Sequence, residues 1–598
     1  MRTDSLIQTA PVRGTRGDSD AEENRSRVAG QCPAFVRVQS TRAFLFALFS
    51  LALVTGCAGV RSPTLAPADG KGLSASPTSA NFDVNASSSQ SQPVRVTNIG
   101  TAGLTTATPP YTPPLRAPVA AFPGAQGGGA GSVGGRGGTV CEVTNLNDSG
   151  PNSFRDCVSR SGPRTVVFRV GGTIQLLSQV TVSNPYITIA GQTAPGGGIL
   201  FSGTQMPAGT MIFVATHDVV MRYIRIRVGV GAQHSGGPSN GVVGIAVMNY
   251  DIYNVMIDHV SESWWDNKPF IIYSNYGPGI HNVTVQWSMT NEGLAPSAIR
   301  PGSQSVCGGS GASDTAPVNG AFHDDDYHHN FFSNCSHRVL ETAQATMHYV
   351  NNMHYNWSYF ATETLGAQSS DIIGNLYKAG PLTTKNVCYS TGVGGRVCQG
   401  PAQPYEIKFS EGSSNLVGPP SVYMLGNKGP SQPNSAGDQW AMTNMIMSYQ
   451  GPPAGPVPTS WRRGAPLPTQ QNPITVDDVN HLEDILFPTV GASQRLDCSG
   501  SWVFNRDAVD TRLISEYKAG TGTIPTSETQ VGGFPTIDPG KACADSDHDG
   551  IPDAWEIAHG LNPKNPTDGR KLNPDGYTNL EHFLNGGPPA RTHHSGAE

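Results

Sequence analysis

The sequence predicts an all-β protein whose main body is a parallel β-helix, followed by a small α-helical segment that binds Ca²⁺. Three observations lead to this prediction. Glycine and proline are abundant (71 and 47 of 598 residues) while charged residues make up 14%, a composition that favours turns over long helices. Short β-branched runs recur between the turns at a regular spacing. Near the C-terminus, acidic residues follow the spacing of a calcium-binding loop.

The length of the chain is enough for two to four folding units. We expect a leader over 1–57, a Ser/Thr/Pro-rich linker with an immunoglobulin-like remnant over 58–118, a β-helix over 119–540, a calcium-binding tail over 541–585 and a disordered tail over 586–598. The formal net charge of −7 argues against nucleic acid as a partner. An anionic substrate would need a local cluster of basic side chains.

The leader contains one membrane-directed segment, the apolar run 43–54, which follows Arg37 and Arg42. This run is too short to span a bilayer as a helix. Its positive flank and the small residues before Cys57 resemble a bacterial lipoprotein signal, which implies lipidation of Cys57 and an extracellular or outer-membrane location. An ordinary cleaved signal is the alternative.

Of the ten cysteines, eight remain when Cys32 and Cys57 are set aside. An even number in an exported protein favours four disulfides. The sequence does not fix their pairing, but nearness favours Cys141 with Cys157, Cys307 with Cys335, and Cys388 with Cys398, which leaves Cys498 for Cys543.

The body of the chain contains eight β-branched runs, 165–170, 186–190, 219–228, 254–259, 282–287, 328–332, 347–354 and 372–377. The last three carry Asn330, Asn352 and Asn375 in a matching frame, with steps of 22 and 23 residues. Such a repeat holds the three strands and three turns of one β-helix coil. Stacked asparagines would then hydrogen-bond the turn backbone. A β-sandwich with chance asparagines is the alternative.

Six segments occur in an order that resembles the bacterial pectate lyase family, polysaccharide lyase family 1. They are AFPGAQGGGAGSVGGRGG (121–138), VTNLNDSGPNSFRD (143–156), ITIAGQTAPGGGI (187–199), NVMIDHVSESW (254–264), VTVQWSMTNEGL (283–294) and YHHNFF (327–332). The resemblance extends to about residue 584 and implies a right-handed parallel β-helix. It also implies β-elimination, in which a base removes the C5 proton of a uronic acid whose carboxylate is neutralised by cations.

Three basic residues are expected to carry this chemistry. By this resemblance Arg338 is the preferred base, because it lies where the family has its catalytic Arg, although the residues that follow it depart from the family's pattern. Arg300 lies where the family has a further basic residue, and with Lys268 it would stabilise the developing charge. Family members bind Ca²⁺ in the cleft, but two of the carboxylates expected for that site are missing here. We therefore expect Lys268 to replace the positive charge of the metal.

Five more residues are expected to bind substrate by the same resemblance: Asp258, His259, Trp265, Asp266 and Asn267. Asp258 and His259 match an Asp-His pair beside the cleft, and the ring of Trp265 is suited to stacking on a sugar.

The C-terminal motif D-x-D-x-D-G-x5-E predicts a Ca²⁺ loop. Its ligands would be Asp545, Asp547, Asp549, Asp553, Glu556 and the backbone carbonyl of Ile551. We expect helices over 552–559 and 579–584 in this tail, and further helices over 474–486 and 506–517. The role of this Ca²⁺ would be stabilisation or attachment rather than catalysis.

The sequence thus predicts a monomeric, exported polysaccharide lyase that acts on pectate, pectin or a related polyuronate and meets a membrane only through a lipid anchor. A surface glycan-binding protein without catalysis is the rival interpretation. Hydrolysis by paired carboxylates is a third, and it would leave saturated sugar ends.

Overall fold

The computed structural model describes residues 119–231, 241–248, 251–273, 279–295, 305–311, 322–358, 360–383, 388–390, 396–398, 406–410, 418–446 and 453–586. Several expectations lie outside these residues: the leader with Cys57, the linker, Arg300 and the tail from residue 587. Within the described residues, no helix has the length and apolar character needed to cross a membrane.

Three long sheets of ten, eight and ten strands form the body of the protein, and each complete coil of the chain contributes one strand to each sheet. Sheet 1 contains Thr139–Val143, Arg164–Phe168, Ile187–Ala190, Val219–Arg222, Ile252–Asp258, Ile280–Gln286, Phe322–His328, Ala345–Val350, Ser369–Ile373 and Ser421–Leu425. Sheet 2 contains Gly172–Gln175, Ile199–Ser202, Arg225–Arg227, Ser261–Ser263, Met289–Asn291, Phe331–Ser333, Met353–Tyr355 and Leu376–Lys378. Sheet 3 contains Val180–Val182, Gly209–Val214, Val242–Met248, Ile271–Tyr273, Gly309–Gly311, Leu340–Ala343, Thr362–Thr364, Ile407–Phe409, Thr443–Ile446 and Pro453–Gly455.

All pairings in these sheets are parallel except the last one in sheet 3, so the predicted parallel β-helix is confirmed. The register stacks buried side chains of sheet 1 in a row along the interior. The row is Val166, Ile189, Met221, Ile257, Val285, Tyr327, Tyr349, Ile372 and Met424. Each large apolar side chain buried in this way contributes about 1.5–3 kcal/mol of transfer free energy.

The corner between sheets 1 and 2 explains why the predicted strands were too long. Runs such as 328–332 and 347–354 each contain a corner, where one residue adopts a left-handed backbone (His329, φ 56°; Asn351, φ 52°). The next residue is the repeating asparagine. The Nδ2 of Asn330 donates to Asn352 Oδ1 at 3.0 Å, and Asn352 donates to Asn375 at 3.1 Å. The predicted asparagine stack is confirmed, and Asn427 extends it.

The remaining elements are short. The α-helices are Phe154–Ser159, Leu482–Leu486, Ala508–Ala519, Asp553–His559 and Asn579–Leu584, and two antiparallel hairpins pair Cys388–Ser390 with Arg396–Cys398 and Gln494–Leu496 with Trp502–Phe504. The 3-10 helices are Gly128–Gly131, Gly191–Thr193, Gln439–Met442, Thr459–Trp461, Val479–His481 and Glu528–Val531. The helix expected over 474–486 is shorter than predicted, and its α-helical part covers only Leu482–Leu486. Residues 474–478 are not helical, because Asp477 lies against the ring of His329 instead (Oδ2 to Nε2, 3.0 Å).

Three predicted disulfides are present, Cys141–Cys157, Cys307–Cys335 and Cys498–Cys543. The register of the first hairpin sets Cys388 opposite Cys398, the pair that nearness favours.

The C-terminal segment (477–586) folds back over sheet 2 and the neighbouring corner of the β-helix. Its helix Ala508–Ala519 packs with Trp264, Phe331 and Tyr355 in an apolar cluster. Its last two helices pack near Ala190, at the opposite end of the coil series. The C-terminal segment thus covers the outer side of sheet 2.

Candidate active site

Charged side chains occupy successive strands on the outer face of sheet 3. The register aligns Glu341 with Glu363 and Glu363 with Lys408, so the three residues form a row across neighbouring coils. The hydroxyl of Thr362 lies 3.1 Å from that of Tyr377 inside the β-helix, and alternation along the strand therefore turns Glu363 outward. The sheet thus brings charges from separate turns of the chain together.

Glu363 connects two cations in this row. Its carboxylate pairs with the Lys408 ammonium through Oε1, and its Oε2 lies 3.4 Å from Arg338 Nε. Arg338 Nη1 also lies 2.9 Å from Glu341 Oε2. Glu363 and Lys408 are buried, whereas Arg338 and Glu341 are partly exposed. The guanidinium is therefore fixed by two carboxylates and still reaches the solvent-facing surface.

Lys268 belongs to the same group of charges. It lies in the turn before Ile271–Tyr273, where its carbonyl accepts a hydrogen bond from Gly244 N at 3.1 Å. Burial lowers the pKa of Lys268, the charge of Arg338 lowers it further, and Glu341 opposes the shift. We call Lys268, Arg338, Glu341, Glu363 and Lys408 the cation cluster.

His337 lies beside this cluster and is buried. Burial, together with the charges of Arg338, Lys408 and Lys268, holds the pKa of His337 well below its usual range. This environment favours the neutral imidazole. Among the described residues the cation cluster has three basic side chains and two acidic ones, an arrangement suited to an anion.

The structure separates Asp258 and His259 from this cluster and corrects their expected role in substrate binding. The Asp258 carboxylate is fully buried and accepts from Arg222 Nε at 2.9 Å and from Gln286 Nε2 at 2.7 Å. Its pKa is lowered by His259 and Arg222 against the effect of burial. The ring of His259 stacks between Tyr223 and Trp287 at centroid distances of 4.6 and 5.9 Å. Both residues hold the corner together.

Trp265 and Asp266 are also structural, which corrects two more expectations. Trp265 has no exposed surface, and its Nε1 donates to Val306 O at 2.6 Å, so its ring cannot stack on a sugar. The Asp266 carboxylate accepts from Val242 N at 2.7 Å and fixes the start of that strand. Asn267 is half-buried, and its Nδ2 lies 3.5 Å from Gly241 O. It precedes Lys268 directly in the sequence, closer to this cluster residue than the other predicted binding residues are.

The predicted calcium loop brings its carboxylates together. One oxygen from each of Asp545, Asp547 and Asp549 lies within 4.8 Å of the others, and the same holds for Asp549, Glu556 and Asp568. Both oxygens of Glu556 and one of Asp568 are buried without a hydrogen-bond partner among the described residues. Burial and the neighbouring carboxylates raise the pKa of Glu556 to about 8. Such an unpaired acidic group fits a divalent cation.

The structure revises the ligand set of this loop. Asp553 was expected as a ligand, but its carboxylate accepts from Ser546 N at 2.7 Å and from Ser546 Oγ at 2.8 Å. Asp568, which lies outside the motif, takes the place beside Asp549 and Glu556. The sequence signal for Asp568 is weak, because it comes 12 residues after the motif ends.

Comparison with known proteins decides the family. A protein of Aspergillus fumigatus named "Probable pectate lyase C" is 32% identical to this chain over 482 residues, which cover 79% of this chain and 95% of that protein. The protein of the same name from Emericella nidulans is 32% identical over 471 residues, covering 78% and 92%. The chain belongs to the pectate lyase family. No model of a protein family matches the chain.

The solved structures that match the chain are more distant in sequence. The cedar pollen allergen jun a 1 is 15% identical, with a TM-score of 0.38, and the match covers 61% of this chain and 92% of the allergen. The pectate lyase Bsp165PelA from Bacillus sp. N165 in complex with trigalacturonate is also 15% identical, with a TM-score of 0.38, covering 62% and 98%. The two relatives that decide the family are fungal, so they give no support to the expected bacterial lipoprotein signal.

The family motifs pointed to Arg338 and Lys268 in this cluster, but they gave no sign of Glu363 and Lys408. Glu341 and Glu363 are 22 residues apart, the same step that separates Asn330 from Asn352, so the repeat itself carries the signal for Glu363. Lys408 follows a long insertion that breaks this step, and only the strand pairing reveals its position.

Proposed function

We propose that this protein is an exported polysaccharide lyase that cleaves an acidic uronic-acid polymer, such as pectate or pectin, by β-elimination. The observation that supports this most directly is the cation cluster, in which basic side chains from separate coils meet on the outer side of sheet 3, with Lys408 buried and Arg338 partly exposed. The family's named members are pectate lyases, which agrees with a polyuronate substrate.

The cluster residues are suited to three tasks. The positive charge of Arg338 lies where it can pair with the sugar carboxylate, which makes the neighbouring C5 proton removable as negative charge develops. Glu341 and Glu363 fix the guanidinium so that this charge is already oriented before substrate arrives. A basic group of the cluster then accepts the C5 proton, and the C4–O4 bond breaks.

A Ca²⁺ ion in this cleft does not fit the described residues. The two carboxylates of the cluster already pair with Arg338 and Lys408. Among the described residues, groups of three potential metal ligands occur only in the C-terminal loop. We therefore propose that Lys268 and its neighbours provide the positive charge in the cleft and that cleavage does not require a metal there.

The C-terminal loop is the proposed Ca²⁺ site, with Asp545, Asp547, Asp549, Glu556 and Asp568 as carboxylate ligands and Ile551 as the carbonyl ligand. When bound, the ion would neutralise these carboxylates and hold the last two helices against the first coils. Asp545 already lies 3.6 Å from Arg169 Nη1 of the β-helix, which supports a stabilising role.

Export is proposed from the three disulfides, which persist in oxidising compartments. The lipid anchor at Cys57 is a separate proposal that rests on the leader sequence alone. Mass spectrometry of the mature N-terminus tests it, because a cut before Cys57 with an added lipid mass is expected, and a cut elsewhere would refute it.

The lyase proposal is tested with polygalacturonate at alkaline pH, by following the ultraviolet absorbance of unsaturated sugar ends. R338A is expected to lower kcat/KM about 10²–10³-fold, because it removes one charge aimed at the developing anion. The matched control is R160A, which removes an exposed arginine paired with Asp156, and it should retain wild-type activity.

Three outcomes of this assay count against the proposal. Saturated products would indicate hydrolysis instead. Binding of the polymer without any product would indicate the glycan-binding alternative. An R338A variant as active as R160A would remove the cluster from the chemistry.

A further inference from the structure

The C-terminal segment contains a surface pocket that neither the calcium loop nor the cation cluster uses. Its volume is about 570 Å³. Its walls are the turn that joins Gln494–Leu496 to Trp502–Phe504 and the last two helices, Asp553–His559 and Asn579–Leu584. Small-molecule sites in proteins have volumes of about 300–1,000 Å³, so the pocket is large enough for a small-molecule ligand.

A tryptophan and a histidine form the aromatic wall of this pocket. The ring of His559 stacks on that of Trp555, with the centroids 3.8 Å apart and the planes at 17°. Trp555 is buried, whereas His559 is exposed although one of its faces lies on the indole. The other face of the imidazole is therefore open to solvent. A ring supported from behind in this way offers a stacking surface to an apolar group, such as the C–H face of a sugar.

Two contacts fix these rings in place. His559 Nδ1 lies 2.7 Å from Trp555 O, and because a carbonyl oxygen only accepts, this nitrogen carries the proton. In the neutral imidazole, Nε2 is then a hydrogen-bond acceptor. On the other side of the indole, the hairpin turn packs through Gly500, where φ is 79° and an added Cβ would lie 2.6 Å from Trp555 Cδ1. Glycine is thus required for this close approach.

The polar groups of the pocket are held by contacts outside it. Asn585 Oδ1 accepts from Arg222 Nη1 of the β-helix at 2.8 Å, so the Nδ2 donors of the same amide point away from the arginine. Ser499 Oγ donates to Asp497 Oδ1 at 2.7 Å and lies 3.0 Å from Ser501 Oγ, and both serines are exposed. A hydroxyl can accept as well as donate, so the pair can bind a hydroxyl of a ligand.

The charge of this pocket distinguishes it from the cation cluster. Its lining, taken over the described residues, contains no Lys, Arg, Asp or Glu. The pocket thus lacks the fixed positive charge that would pair with a uronate carboxylate. Neutral donors and acceptors beside an aromatic ring are instead suited to the hydroxyls and the C–H face of an uncharged sugar.

We propose that this pocket is a second saccharide-binding site, which takes a neutral sugar unit. The C–H face of the sugar stacks on His559, and its hydroxyls bond to Asn585 Nδ2 and to the two serines. The last two helices pack near Ala190 in the first coils, whereas the cation cluster lies on later strands. The site therefore holds the protein on a polysaccharide without occupying the cleavage site, and it does not depend on the lyase function.

Isothermal titration calorimetry of the full-length protein with neutral hexasaccharides tests this proposal. The probes are β-1,4-linked galactose, glucose, mannose and xylose oligomers, and at least one is expected to bind with a Kd below about 1 mM. Galacturonate, which has no glycosidic bond to cleave, should not displace it. H559A removes the stacking surface and should raise this Kd about 10-fold. The matched control is H323A, an exposed histidine that stacks on His281 at 4.6 Å, and it should bind like the wild type.

A second variant tests the polar side of the pocket. N585D keeps an acceptor for Arg222 but loses the amide donors, so the Kd should rise about 3- to 10-fold. The control N562D makes the same change of charge at an exposed asparagine outside the pocket, whose Oδ1 accepts from Lys564 N at 3.3 Å, and its Kd should not change. Thermal unfolding in Ca²⁺ checks that each variant is folded, and if H559A is not, N585D against N562D decides.

Four results would overturn the assignment: no neutral probe that binds, equal Kd values in folded H559A and H323A, equal losses in N585D and N562D, or displacement of the neutral probe by galacturonate. A wild type that binds a neutral probe and makes no unsaturated product would refute the lyase function alone and would leave this site in place.

Discussion

Two sides of the β-helix bury charge in different ways. Under the C-terminal segment, two arginines of sheet 2, Arg225 and Arg227, face Asp507 and Asp510. Arg227 Nη2 donates to Asp507 at 2.9 Å and to Asp510 at 2.7 Å, and all four side chains are buried. We call these residues the strap pairs. Their charges balance, and their hydrogen bonds join the C-terminal segment to the coils.

The cation cluster on sheet 3 is different, because its described residues contain more positive than negative charge and two of its cations, Lys268 and Arg338, are partly exposed. A fold gains nothing from leaving positive charge partly buried and unbalanced. The comparison teaches that buried ion pairs alone do not identify a site. What distinguishes the cluster is an excess of one charge on a face that solvent can reach.

The largest expected effect is on stability, at the strap pairs. R227M removes the fully buried cation that bonds both Asp507 and Asp510, and only the more distant Arg225, 3.6 Å from Asp507, remains to balance them. The loss should lower the free energy of unfolding by about 3–5 kcal/mol. Urea unfolding measures this, and the exposed control R160A should change it by less than about 1 kcal/mol. At a temperature where R227M remains folded, its kcat/KM should match that of the wild type. A specific loss of kcat/KM in folded R227M would contradict the separation of the two sides.

The fold was predictable because its repeat is local. Asn330, Asn352 and Asn375 recur at the spacing of one coil, and the same spacing sets the corner geometry. The strand boundaries were less predictable, since the corner takes only two residues and the β-branched run continues through it. The left-handed backbone of the corner falls on residues such as His329 rather than on a glycine. The sequence therefore has no glycine there that would mark the corner.

The site was predictable only in part. Family motifs pointed to Arg338 and Lys268, which the sheet brings into one cluster. The same motifs pointed to Asp258 and Trp265, which are buried for structural reasons. A motif records that a residue type recurs in a family, and it does not distinguish a side chain that contacts substrate from one that holds a turn.

The second prediction separates the cation cluster from the calcium loop. Chelation should remove the linkage stabilisation of the loop, about 2.7 kcal/mol at a Ca²⁺ concentration of 100 times Kd, while leaving kcat/KM of the folded enzyme unchanged. Urea unfolding with and without chelator, beside the ultraviolet assay, measures both quantities. D549N is the control, and its stability should not respond to Ca²⁺. Loss of all cleavage on chelation, with the protein still folded, would show that the cleft itself needs a metal.

The third prediction tests the connection within the cluster. E363Q removes the carboxylate shared by Arg338 and Lys408, so the guanidinium loses one of the two ion-pair partners that orient it. We expect kcat to fall about 10- to 100-fold, with a smaller change in KM. The matched control is E406Q, a buried glutamate that instead accepts from Ser431 N at 2.8 Å. Equal losses in both variants would indicate a general effect of removing a buried acid rather than positioning of Arg338.

The smallest expected effect distinguishes two aspartates of the calcium loop. Asp553 closes the loop through Ser546, so D553N should lower the free energy of unfolding by about 0.5–1.5 kcal/mol and leave the Ca²⁺ dependence of stability intact. Asp568 has an oxygen that no described residue satisfies and that lies with Glu556 and Asp549, so D568N should weaken Ca²⁺ binding. Calcium titration followed by thermal unfolding compares the two. Because both changes remove one negative charge from the same module, a weaker response in D553N than in D568N would mean that the motif position, rather than the geometry, determines the ligand.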